Sequence, residues 1–93
     1  MTEQRERAPL VWIGSLGPGG GGERVIAAFD LVCTYDDPLA ELVMAGPAPD
    51  PRHLAKLVRY RDELKLFGLR LHADPSPAER AALRDLGPAW PAD

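Results

Sequence analysis

The sequence predicts an α/β fold in which three parallel strands alternate with three helices. Apolar runs of strand length occur at residues 10–16, 41–45 and 69–73, and each is followed by a segment whose spacing or capping residues are helical. The links between these segments are short. Strands joined through helices by short links run parallel with right-handed crossovers, so the order β-α-β-α-β-α describes half of a doubly wound, Rossmann-like sheet.

Residues 10–16 (L-V-W-I-G-S-L) form a nearly continuous apolar run, as expected of a strand covered on both faces. A glycine-rich loop follows and closes near Gly22. From Glu23 onward, Val25, Ile26, Phe29, Val32 and Cys33 fall on one helical face, and Asp36, Asp37 and Pro38 stop that helix. Residues 41–45 (E-L-V-M-A) read as the second strand, with the loop Gly46-Pro47-Ala48-Pro49 after it. Asp50 is suited to cap the next helix, with Pro51 in its first position. Its apolar stripe is Leu54, Leu57, Val58, Leu64 and Phe67, and Gly68 marks its end. Residues 69–73 (L-R-L-H-A) alternate apolar and polar, as in a third strand nearer an edge. Ser76, Pro77 and Glu79 then spell a capping box, and Gly87 with Pro88 closes the last helix. This divides the chain into a polar N-terminal tail at 1–9, a domain at 10–86 and a Pro-rich C-terminal tail at 87–93. Both tails are expected to be loose.

At 93 residues the chain holds one domain at most, and a chain this short buries only about 60–65% of its unfolded surface. Hydrophobic residues make up 45% and charged residues 27%, which argues against disorder despite nine glycines and ten prolines. A net charge of -3 argues against a nucleic-acid partner, which calls for a basic face. No apolar run approaches the roughly 20 residues of a bilayer helix, and T-E-Q-R-E-R near the N-terminus lacks the apolar core of a signal peptide. No membrane span is expected, and the cytoplasm is the expected compartment. The single cysteine, Cys33, excludes an internal disulfide and reads as a buried, inert thiol.

Residues 13–29 (I-G-S-L-G-P-G-G-G-G-E-R-V-I-A-A-F) carry most of the functional information. A strand, a loop without side chains and a helix N-terminus form a cradle for phosphate, because free backbone N–H groups and the helix dipole face the anion. Gly17, Gly19 and Gly22 also satisfy the dinucleotide fingerprint G-x-G-x-x-G. A run of five glycines among six residues satisfies it almost automatically, and the second strand ends without the acidic residue that would hold a ribose.

These segments resemble the nucleotide-sugar-binding domain of GT-B glycosyltransferases, in particular the large retaining family of sucrose-phosphate, mannosyl and glucosyl transferases. That family opens the domain with a strand, a G-R-L-x-P-x-K-G loop and a helix carrying A-F. Here Gly14, Ser15, Leu16, Pro18, Gly20, Gly21, Val25, Ile26, Ala28 and Phe29 keep the register without a gap. Its D-P-x-A-x-L-V-x-x-G strand is represented by Asp37, Pro38, Ala40 or Glu41, Leu42, Val43 and Gly46. The long helix and L-R-L-H-A-D-P-S-P-A-E-R-A-A-L resemble the family's next strand, turn and short helix.

The resemblance implies a degenerate donor-diphosphate loop at Gly14, Ser15, Gly20 and Gly21, with Gly46 and His72 near the nucleotide. Ser15 and Gly20 stand where the family has its arginine and lysine. Charge-assisted hydrogen bonds to phosphate contribute roughly 1.5–3 kcal/mol each, so their loss weakens diphosphate binding by a factor on the order of 100 to 10,000. Glu23 adds a negative charge to the first helical turn, and Arg24 is its nearest offset. The family's acceptor domain and acidic E-x7-E motif lie outside these 93 residues.

Two function classes follow. One is a glycosyltransferase-like fragment, without catalytic residues or a cofactor of its own and not catalytic alone, that binds a nucleoside-diphosphate sugar weakly or serves as one piece of a split enzyme. The other is a non-enzymatic interaction module in which the loop is only a connection.

The remaining polar residues read as structural. His72 is either a strand-end surface histidine or, by the resemblance, a nucleobase neighbour. His53 reads as solvated, Asp36-Asp37 as a turn, and no metal site is expected. Arg52, Lys56, Arg59, Arg61 and Lys65, interleaved with Asp62 and Glu63, read as a solvated helix face. Trp90 is expected to pack back on the core or to dock into a partner. In a doubly wound sheet the first strand is paired on both sides, so its free edge at 10–16 calls for a second copy of the chain or a second polypeptide to cover it, or else leaves the chain only marginally folded alone.

Overall fold

The computed structural model describes residues 8–90. It is an α/β arrangement consistent with half of a Rossmann-like fold. The elements are β1 (Leu10–Ile13), α1 (Gly22–Tyr35), β2 (Leu42–Gly46), α2 (Pro51–Glu63), β3 (Leu69–Ala73) and α3 (Pro77–Arg84). The sheet is parallel in the order β1-β2-β3, with Trp12 beside Met44 and Met44 beside Leu71.

Alternation along the strands sorts the core. Leu42, Met44 and Leu69 face α1 and α2, where Phe29, Ile26, Leu57 and Leu16 are fully buried against them. Burying a side chain of this size stabilises the fold by about 1.5–3 kcal/mol. Val11, Val43 and Ala45 point to the opposite face and are also buried. On that side Glu79 of α3 comes within 3.9 Å of His72, and the chain then returns from α3 to the edge of β1. The capping box of α3 is complete, since Ser76 Oγ accepts from the Glu79 N–H and the Glu79 carboxylate accepts from the Ser76 N–H.

Several boundaries differ from the sequence reading. Regular pairing in β1 stops at Ile13, and the Leu16 N–H instead donates to the Pro47 carbonyl, so Leu16 is a buried loop anchor. Helix α2 ends at Glu63 because Lys65 turns left-handed, with φ at 57°. That turn shifts the phase of the stripe: Leu66 is buried at 5% exposure while Phe67 is 87% exposed. Cys33 is only half-buried. Burial pushes its thiol pKa up, with Asp30 and Asp37 adding to the rise.

The expectation of a loose segment after Gly87 is corrected by its backbone bonding. The Val11 N–H donates to the Pro88 carbonyl at 2.9 Å and the Val11 carbonyl accepts from the Trp90 N–H at 2.9 Å, so Ala89 pairs with Val11 in parallel. The Trp90 ring meets Phe29 edge-on, with centroids 6.0 Å apart. Trp90 therefore packs back on the core, and the chain itself straps part of the β1 edge. Residues 1–7 of the N-terminal tail and 91–93 of the C-terminal tail lie outside the described residues.

Candidate functional site

The loop between β1 and α1 is held from below by backbone. The Gly14 N–H donates to the Ala45 carbonyl, and the chain then follows the end of β2 as far as the Leu16 to Pro47 bond. Ser15 Oγ accepts from the Gly17 N–H at 3.1 Å, and the Gly20 N–H donates to the Gly17 carbonyl at 3.1 Å. Ser15 is thus committed to folding the loop. A side chain at Gly20 would collide with the Ser15 carbonyl, so the backbone is shaped around glycine at the position where the resembling family carries lysine. Gly21 occupies the N-cap of α1 with φ at 89°, a left-handed conformation that favours glycine, and supplies no side-chain cap.

The consequence is an uncapped helix N-terminus. The first N–H groups of α1 have no intrahelical partner, and they border an open cavity of about 350 Å³ lined by Gly19, Gly21, Gly22, Glu23, Arg24 and His53. The Glu23 carboxylate lies 3.4 Å from the Lys56 ammonium of α2, which offsets the negative charge in the first turn. Arg24 and His53 line the same cavity. This arrangement can receive an anion. It offers no nucleophile paired with a base, and among the described residues no group of three or more His, Cys, Asp or Glu is placed to hold a metal.

Gly14, Ser15, Gly20 and Gly21 are therefore brought together in one loop, with Gly46 against the Gly14 carbonyl. His72 does not join them. In β3 it stands beside Ala45, on the sheet face away from α1, and its Nε2 lies 3.9 Å from a Glu79 carboxylate oxygen. Sequence spacing missed His53. The signal that finds it is topological: in successive parallel β-α units both helices start at the same sheet rim, so the first turn of α2 approaches the first turn of α1.

No family model, curated protein or solved structure matches the chain. Among the described residues, no helix is long and apolar enough to cross a membrane.

Proposed function

We propose that the chain is a non-catalytic binding module that receives the phosphate of a nucleotide at the glycine-rich rim. The observation that carries this reading is the uncapped N-terminus of α1 opening on a cavity that Arg24 and His53 also line. A scaffold derived from a nucleotide-sugar-binding half-domain of the glycosyltransferase kind accounts for the register of the loop and helix. The ligand class is then a nucleoside-diphosphate sugar. Ser15 and Gly20 in place of cations make the expected affinity weak, and the same substitutions support binding without transfer.

Titration of the isotope-labelled chain with inorganic phosphate, UDP, ADP and their sugar conjugates tests this reading. Saturable amide shifts at Gly19, Gly21, Gly22, Glu23 and Arg24 are expected. Arg24→Ala should weaken binding by about ten- to a hundredfold, the loss of one charge-assisted bond. Unchanged spectra at about 10 mM ligand, the millimolar range in which weak ligands still register, would retire the proposal.

A further inference from the structure

The strap at Pro88 to Trp90 uses the edge groups of Val11 but not those of Ile13. Along a strand, alternate residues point their N–H and C=O groups to the same side, so Val11 and Ile13 both face away from β2. The Val11 pair is bonded; the Ile13 pair has no partner among the described residues. Beside this half-used edge runs an open groove of about 520 Å³, bordered by Trp12, Ile13, Arg84 and Trp90. The strand itself, L-V-W-I, carries no charge and no proline to repel another strand.

We propose that this edge is a self-association surface, that two copies pair through it in antiparallel fashion, and that the strap competes with the second copy for the same groups. The two-residue spacing makes the edge self-complementary. With Trp12 on the two-fold axis, Val11 of each copy exchanges both of its hydrogen bonds with Ile13 of the other, so the groups the strap leaves open are also satisfied.

The side chains favour the same occupant. Ala89 pairs with Val11, so Trp90 stands beside Trp12 one residue further on. In the antiparallel pair, Trp12 of the second copy takes that place, one indole for another, in the closely spaced non-hydrogen-bonded position. The strap is held by two backbone bonds and by Trp90, which packs on Phe29 and the core but is only partly buried there, and a second strand that brings its own indole to the same place can displace it.

Sedimentation velocity and amide exchange on the full chain test the proposal. Trp90→Pro removes both the N–H donor and the ring, and should dimerise at least about tenfold more tightly than the parent chain. Trp90→Phe keeps both and should track the parent. Adding Ile13→Lys to Trp90→Pro should restore the monomer by placing an ammonium on each side of the two-fold. A folded, monomeric Trp90→Pro chain overturns the proposal, as does a double variant that dimerises equally well. Should Trp90→Pro fail to fold, the parent chain decides. Its Ile13 amide should gain protection as concentration rises from about 10 μM to about 1 mM, the range of weak association. Protection that is already present in the dilute monomer, or exchange that is independent of concentration, overturns it.

Discussion

Substituting Gly21 tests how α1 begins. The residue sits at φ 89° with nothing within 4 Å of the position a Cβ would take, so alanine there meets no steric obstacle and changes only the backbone energetics. Holding an L-residue in the left-handed region costs about 1–2 kcal/mol. The lower entropy of the unfolded alanine chain does not compensate where the native φ is incompatible. Gly21→Ala should therefore destabilise the fold by about 1–2 kcal/mol and lower Tm by about 4–16 °C in a domain of this size.

Two companions sharpen the test. D-Alanine at the same position accepts positive φ and should be neutral or stabilise by up to about 1 kcal/mol. Gly20→Ala must clear the Ser15 carbonyl and strains the Gly20 to Gly17 bond, so it should cost about 2–4 kcal/mol, combining backbone strain with a lost hydrogen bond. Urea titration followed by the fluorescence of Trp12 and Trp90, together with thermal scans, reads all three. A Gly21→Ala chain as stable as the parent, or a D-alanine chain less stable than the L-alanine one, would refute the left-handed cap.

Other consequences are simpler to measure. Ser76→Ala removes one half of the α3 capping box and should cost about 1 kcal/mol in urea denaturation. Hydrogen bonds from the Ser76 backbone N–H and then the Ser76 side chain, aided by His72, hold the Glu79 carboxyl below its ordinary pKa of 4.5. The stabilisation by ionised Glu79 is therefore fully present above that ordinary value and is lost as pH falls through the lowered one, and Glu79→Gln should flatten this acid limb of the stability profile. Leu66→Ala should cost about 2–4 kcal/mol, while Phe67→Ser should stay within about 0.5 kcal/mol of the parent, the reverse of the ranking that helical spacing gives.

The strand-helix alternation was legible because each element carries its own local signal. Asp50 with Pro51 and Ser76 with Glu79 mark helix starts through bonds made within three residues, and both caps form as read. The end of α2 was not legible. Its stop is a left-handed lysine rather than a glycine, a conformation that nothing in the residue type announces, so the spacing assigned burial to Phe67 where Leu66 has it.

The site divides in the same way. The glycine loop reads directly, since a side chain at Gly20 would meet the Ser15 carbonyl and the left-handed backbone at Gly21 favours glycine. His53 and the pairing of Ala89 with Val11 depend on residues 29 or more positions apart being brought together by the crossovers. Periodicity carries no such information.

Asp74 has a consequence for how a ligand would meet this molecule. At φ 51° it donates its N–H to the Gly46 carbonyl at 2.8 Å and accepts from the Ala48 N–H through its carboxylate at 3.0 Å. The turn after β3 is thereby stitched to the turn after β2, which in turn is bonded to the glycine loop through Pro47 and Leu16. The three turns at the rim form one linked strip of backbone. An anion received at the adjoining N-terminus of α1, as proposed, would meet a loop whose base is already bonded to the neighbouring turn, so association there should need no slow rearrangement of that base.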